Sequence, residues 1–548
     1  MNKTEKLKWW GWGLEGQEYR LPDPENFWSF LESTLGPLKP CPRVGSLSDI
    51  PVAPSRLTQA DVATLTELFG DSGVTFDQAD RLVHAVGKSY PDLVRIRQGQ
   101  LLAIPDGVVF PEQEEQILAV LEAAAKRNWA VIPFGGGTSV VGGVEPSSQD
   151  RPVLTLNLQR MNRVLDIDST SNTARIQSGI LGPELETVLN AMGFTLGHFP
   201  QSFEFSTLGG WIATRSAGQN STKYGKIEDM VVSLRMVTPG GVLESPVVPA
   251  EAVGPSMLQC LVGSEGTLGV ITQAVVRLHP VPQHRDFSAY LFPDFATGLS
   301  AVRNLLQSEI CPAVLRLSDP DETAVAVLLS QSPHPSFKER LGRWYVRARG
   351  LDLGRGAMLV LVFEGTRNLV SAARREAKHF LRSAIPLGSH PARKWMKSRF
   401  RHPYLRDDLL DRSVMVDTVE TAAPWERLPN LYDGVRKSLS AAILETAPGA
   451  LVLGHLSHAY RDGASLYFTY LARQQTGLEL EQWQAAKKAA TEAILKYDGA
   501  LSHHHGIGSM HKAWMRPYLG SEGLKLLEHL KEKLDPNNIL NPGKLVGG

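Results

Sequence analysis

The stretch Pro133-Phe134-Gly135-Gly136-Gly137-Thr138-Ser139 continues an apolar run, Ala130-Val131-Ile132-Pro133-Phe134. Such a short run reads as a buried strand, which places the glycines in the loop at its end. Three adjacent glycines remove the side chains that would hold a diphosphate away from the backbone. Successive N–H groups then form an anion nest, and the hydroxyls of Thr138 and Ser139 add donors. The stretch is neither GxGxxG nor GxxxxGK[ST], so neither dinucleotide Rossmann nor Walker-type binding follows. Alone, a flexible surface turn explains it equally well.

Two further glycine-rich segments follow. Gln201-Ser202-Phe203-Glu204-Phe205-Ser206-Thr207 runs into Leu208-Gly209-Gly210-Trp211-Ile212-Ala213-Thr214 and Arg215-Ser216-Ala217-Gly218. Small polar residues and glycines there would let backbone approach a flat cofactor while hydroxyls bond its polar edge. The third, Gly263-Ser264-Glu265-Gly266-Thr267-Leu268-Gly269-Val270-Ile271, feeds a β-branched strand and is weak by itself.

Around these segments the chain divides by pattern. Residues 1–100 read as a largely helical N-terminal extension, with a Trp9-Trp10-Gly11-Trp12-Gly13 cluster and helical spacing over 59–69. From 101 to 285 the pattern is α+β. Pro111 and the acids after it predict a helix start, and 153–157, 174–178 and 231–237 read as strands. Residues 286–500 alternate strand runs, such as 357–363, with helical ones, such as 480–496. Residues 501–548 carry a His cluster, a helix over about 521–534 and an Asp535-Pro536-Asn537-Asn538 turn.

At 548 residues the chain exceeds one hydrophobic core. Lys+Arg and Asp+Glu both number 57, so there is no basic excess for a nucleic-acid surface. A phosphate on a substrate must therefore be held by a few placed cations. Cys41, Cys260 and Cys311 are too few and too far apart for a disulfide framework or a CxxC metal site, which favours a reducing compartment. No run of 18 apolar residues occurs, and Met1–Lys6 lacks an apolar signal core. The expected location is the cytoplasm, with peripheral membrane contact left open.

Ser502-His503-His504-His505-Gly506-Ile507-Gly508 is the densest set of titratable groups. Imidazoles near neutral pKa suit proton transfer. As a metal site the run is poor, because neighbours in an extended segment face apart and no carboxylate lies close in sequence. No metal is expected. A solvated or core-satisfied His run is the plain alternative.

In this order the three glycine segments resemble the FAD-binding fold of the vanillyl-alcohol oxidase/p-cresol methylhydroxylase superfamily. The resemblance implies an α+β fold: a two-part FAD domain (101–285 with 501–548), an α/β cap (286–500) and the N-terminal extension. It implies that Pro133, Phe134, Gly135, Gly136, Gly137, Thr138 and Ser139, with Gln201, Ser202, Phe203, Glu204, Phe205, Ser206 and Thr207, line FAD. Thr214, Arg215, Ser216 and Ala217, and Glu265, Gly266, Thr267, Leu268, Gly269, Val270 and Ile271, complete that set. Leu534–Lys544 is similar to the superfamily's closing motif. No His or Cys stands within 133–139, where some members attach the flavin, so non-covalent FAD is expected.

Flavin dehydrogenases of 2-hydroxy acids carry Glu-His-Gly-[Ile/Val]-Gly here, and His504 stands in place of the Glu. The His-His-His-Gly-Ile-Gly run instead resembles the alkylglycerone-phosphate synthase family, the alkyl-dihydroxyacetonephosphate synthases. Lys8–Gly13, Phe205–Trp211, Ile227-Glu228-Asp229, Met236–Pro239, Leu315-Arg316-Leu317, Tyr404–Asp407, Glu420–Trp425 and Gly463–Phe468 carry the likeness, which is loose over 320–400. It implies exchange of the acyl group of acyl-dihydroxyacetone phosphate for a long-chain alcohol, redox-neutral, with the flavin acting through a covalent adduct at N5. It also implies Arg406 as the substrate-phosphate arginine, Tyr467 as proton donor or acceptor, Arg316 as an activity-linked residue and His503, His504 and His505 as essential. From the residues alone, Tyr467 could be a core aromatic and Arg316 a structural ion pair. The long N-terminal extension and peroxisomal targeting region of the animal enzymes are not seen, so a peroxisomal location is not expected. A homodimer is left open. The rival reading is a flavin dehydrogenase of a 2-hydroxy acid or polyol. A non-enzymatic FAD-dependent scaffold would be expected to lose Arg406, Tyr467 and the His cluster.

Overall fold

A computed structural model describes residues 6–147, 150–330, 333, 334 and 336–546, with the side chains at 338 and 339 left aside. Most of the leader stretch considered above, residues 1–5, lies outside the described residues. Among the described residues the strands form three main sheets.

The first sheet has the order Val74–Thr75, Gly107–Val109, Val153–Asn157, Ala130–Phe134. The last two are parallel, as are the middle two. The first strand comes from the segment read as an N-terminal extension, so that segment adds an edge to this sheet. Helix Glu114–Arg127 supplies the crossover that parallel strands need. It begins three residues after Pro111, because the amides of Glu112 and Gln113 are taken by the Gln116 side chain (2.8 and 3.3 Å), which makes Gln113 the cap. The C-terminal segment returns here. The amide of Val131 donates to the Ile539 carbonyl (2.7 Å), and that of Asn541 to the Val131 carbonyl (2.9 Å).

The second sheet is antiparallel, in the order Val164–Asp168, Thr173–Gln177, Val270–Arg277, Val231–Thr238, Gly241–Glu244. The third has seven antiparallel strands: Ile385–Gly388, His284–Phe292, Ala357–Gly365, Val314–Ser318, Ala450–Ala459, Gly463–Arg473 and Val414–Pro424. Its first strand in sequence begins at 284, just ahead of the expected boundary at 286.

Alternation sorts the third sheet into two faces. Leu466, Phe468, Tyr470 and Ala472 enter a core with helices Phe295–Gln307, Leu428–Leu444 and Glu479–Lys496. Tyr467, Thr469 and Leu471 point the other way, into a cavity. The neighbour of a core phenylalanine is thereby kept out of the core. The C-terminal helix spans Met515–Leu534 but breaks at Gly520 (φ 72°, ψ 171°), so the stretch expected over 521–534 is its second half. No helix among the described residues is long and apolar enough to cross a membrane.

Candidate active site

A cavity of 1350 Å³ has the three glycine segments on one wall and the outward face of the seven-stranded sheet on another. Pro133 to Ser139, Gln201, Ser202, Ser206, Thr207, Thr214, Ser216, Ala217, Glu265, Gly266, Gly269 and Ile271 line it. The glycines of the first segment serve packing as well as any ligand. A Cβ on Gly136 would lie 1.7 Å from the Phe205 carbonyl oxygen, and one on Gly135 2.3 Å from Thr207 Oγ1. Only glycine lets the 133–139 and 201–207 loops meet this closely.

Seven of the expected cofactor residues face elsewhere. Phe203 stacks on Phe400, and Phe205 meets Trp12 edge-on. Arg215 bonds the side chain and carbonyl of Gln259 (3.1 and 2.8 Å), and Thr267 caps its own turn on the Ser264 carbonyl (2.7 Å). Leu268 and Val270 are core residues, and Glu204 faces Arg401 and Tyr404. A run of residues in a loop alternates direction, so a contiguous motif sends only part of its side chains to the cavity.

Arg316, Arg406, Tyr467, His504 and His505 line the same cavity. Tyr467 lies across from Glu420 on one neighbouring strand and His455 on the other. Residues directly opposite in a sheet share a face. Glu420 is buried, and its carboxylate gathers the His run. It accepts from the Ser502 hydroxyl (2.7 Å) and from the amides of His503 (2.6 Å), His504 (3.2 Å) and His505 (3.0 Å). Burial opposes its ionisation. The Ser502 hydroxyl and the three backbone amides donate to the charged form and more than offset that, holding the carboxyl well below its usual range. Glu265 holds the far end of the same loop, accepting from the amides of Ile507 and Gly508 (both 2.7 Å). Burial pushes its carboxyl up to about 7 against those two donors.

Burial pushes the imidazole of His504 well below the usual range, and lowers that of His505. Burial raises the Tyr467 phenol to about 12. At neutral pH this pairs a phenol that keeps its proton with imidazoles that hold free lone pairs. His504 stacks on Tyr467 (5.9 Å, 19°), and His505 meets it edge-on (5.6 Å). His503 stands apart from the cavity. Its Nε2 meets the Tyr460 hydroxyl (2.8 Å), and its carbonyl accepts from Lys226 (2.7 Å).

Arg406 rides on helix His402–Leu410. Its Nη1 donates to the Lys88 carbonyl (2.7 Å), while its buried Nε has no partner. Its neighbour Asp407 is occupied elsewhere, by the Lys8 ammonium and the Trp12 amide (3.0 and 3.1 Å). The aromatic cluster at 9–13 thus ties down the helix that carries Arg406, and Trp12 itself lines the cavity. Gly11 is required there, since a Cβ would lie 2.2 Å from the Asp407 carboxylate. Arg316 pairs with Glu322 (2.8 Å) and meets His455 Nδ1 (3.1 Å), so it is ion-paired and cavity-facing at once.

Residue order does not show Glu420's hold on the loop or that His455 and His458 share the cavity. Two histidines three apart in Gly454-His455-Leu456-Ser457-His458 were a visible signal. In a regular strand they would face apart. An irregularity between Leu456 and His458 in the pairing with strand Gly463–Arg473 turns both toward the cavity.

Residues 105–245 match the family described as FAD binding domain, and residues 281–545 that described as FAD linked oxidases, C-terminal domain. The alkyldihydroxyacetonephosphate synthase of Dictyostelium discoideum is 38% identical over 505 residues, 91% of this chain and 83% of that protein. The chain belongs to the alkyldihydroxyacetonephosphate synthase family. A solved alkyldihydroxyacetonephosphate synthase structure superposes with a TM-score of 0.85 at 35% identity, covering 98% of this chain and 99% of that one. Substrate-bound p-cresol methylhydroxylase, at 15% identity and a TM-score of 0.67 over 90% of this chain and 98% of that one, shares the fold. Like the domains it matches, this member of the alkyldihydroxyacetonephosphate synthase family uses FAD. The glycine wall, where added Cβ atoms would collide with the adjoining loop, fits a flat cofactor with a diphosphate.

Proposed function

We propose that this protein forms the ether bond of ether lipids, exchanging the acyl group of acyl-dihydroxyacetone phosphate for a long-chain alcohol. The observation that carries this reading is the convergence of Arg406, Tyr467, His504 and His505 on the cavity that the glycine segments also line. In this reading residues 101–285 and 501–548 hold FAD without a covalent bond and 286–500 cap it. FAD, when bound, supplies redox-neutral chemistry at the substrate carbon. Arg406 binds the phosphate, with its unpartnered Nε as one fork of the guanidinium. Tyr467 donates a proton from its hydroxyl, and His504 and His505 accept one at a ring nitrogen. The apolar residues Leu31, Val325, Leu409 and Leu453 on the cavity wall suit an alkyl chain.

The test is incubation of the FAD-loaded protein with acyl-dihydroxyacetone phosphate and hexadecanol, without an electron acceptor. An ether product and free fatty acid are expected. No ether product, together with brisk acceptor reduction by lactate, glycolate or glycerol 3-phosphate, would promote the dehydrogenase reading.

A long-chain alcohol resides in a bilayer, so the cavity must reach one. Helix Phe337–Ala348 borders the cavity through Gly342, Arg343, Tyr345 and Val346. Its Phe337, Leu341 and Trp344 are 80%, 51% and 65% exposed, at the spacing of one helical stripe, with Arg340 and Arg347 also exposed. An apolar stripe flanked by arginines suits an anionic bilayer surface. Trp344→Glu is expected to lower sedimentation with phosphatidylserine-containing vesicles at least tenfold while FAD stays bound. Equal sedimentation of both proteins would remove this helix from the docking surface.

A further inference from the structure

We propose that His458, His503 and His504 form a zinc site that opens onto the cavity. Each ring offers a nitrogen, and the three nitrogens lie within 4.8 Å of one another. Tetrahedral zinc with bonds of about 2.0 Å sets its ligand nitrogens about 3.3 Å apart, so small ring rotations would close the set. An extended His run with no carboxylate nearby would make a poor metal site. Here the run curls around Glu420, and a third imidazole arrives from another strand.

The hydrogen bonds identify the ligand atoms. The Ser457 hydroxyl occupies His458 Nδ1 (2.7 Å), leaving Nε2, which is buried and has no partner. The Tyr460 hydroxyl occupies His503 Nε2 (2.8 Å), leaving Nδ1. His504 Nδ1 faces that atom at 3.0 Å. Zinc needs both Nδ1 lone pairs, so His504 would carry its proton on Nε2. Ser457 and Tyr460 are then outer partners that fix ring orientation, as in established histidine sites. Glu420 Oε2, 3.6 Å from His504 Nδ1, supplies negative charge. The nearby cation Lys226 is paired with Glu228 at 3.0 Å. Three protein ligands leave a fourth position, and His458 and His504 line the cavity, so that position faces the substrate space. Bound zinc would withdraw His504 from proton transfer and inhibit the enzyme; this consequence rests on the function proposed above.

The test loads the FAD-bound protein with zinc alone, dialyses it against a chelator-buffered zinc solution and measures metal per chain. One zinc per chain is expected, with absorption fine structure showing three imidazoles at about 2.0 Å. Ser457→Ala should weaken zinc binding on the order of tenfold, and His458→Gln on the order of 100-fold or more, with FAD retained. Should His458→Gln fail to fold, the fine structure of the wild type still decides. No stoichiometric zinc in the wild type, fine structure without three imidazoles, or unchanged affinity in a folded His458→Gln protein overturns the site. None of these readouts needs turnover, so the site and the ether-forming reading fail separately. Chelator-reversible inhibition of ether formation is expected, and zinc that binds without inhibiting refutes the inhibitory role.

Discussion

Glu420→Gln is expected to lower turnover by roughly two to three orders of magnitude while FAD remains bound. Three backbone amides and the Ser502 hydroxyl converge on this one buried carboxylate. A glutamine keeps the shape but replaces one acceptor oxygen with an NH2 donor, which must then face backbone donors. Leaving buried donors without an acceptor costs about 1–3 kcal/mol each, and the amide of the glutamine orphans more than one of them. At about 1.4 kcal/mol per factor of ten, that cost falls on the loop that holds His504 and His505 against Tyr467. The measurement is turnover in the ether-forming assay with flavin absorbance as the folding control. Unchanged turnover in a flavin-replete Glu420→Gln protein would show that the His run keeps its geometry without this anchor.

Arg406→Lys is expected to lower turnover over Michaelis constant by roughly ten- to 150-fold, from about 1.5–3 kcal/mol for a charge-assisted hydrogen bond. An ammonium cannot reproduce the planar fork on a phosphate, and its shorter reach also abandons the Lys88 carbonyl. The loss should be specific to the phosphorylated substrate, with the dependence on alcohol concentration unchanged. Unchanged kinetics would take Arg406 out of phosphate binding.

Part of the site was legible in residue order because its logic is local. Three adjacent glycines must serve a loop that something approaches closely, and the Gly135–Gly137 loop meets the 205–207 backbone. The His run carries side-chain chemistry whose type is visible without coordinates, whereas Arg406 and Tyr467 stand out only through the resemblance to the synthase family. What residue order cannot show is direction. Phe203, Phe205 and Leu268 sit inside a cofactor-like segment yet serve cores, because alternate residues of an irregular loop face apart. Arg215 looks like a cofactor contact and is spent on Gln259.

By itself, then, the amino-acid sequence determined the α+β class, the elements at 59–69, 130–134, 153–157 and the like, and the family-bearing motifs, since each depends on periodicity or spacing within a short window. Tertiary structure alone decided which groups meet. Glu420 and Ser502 are 82 residues apart, and Lys8 and Asp407 are 399 apart. Tyr467 joins His504 rather than the core because the sheet's period of two turns it away from Phe468. His458 reaches the same face only through a register irregularity in its strand. Such contacts depend on strand register and loop closure across hundreds of residues, which no local pattern encodes.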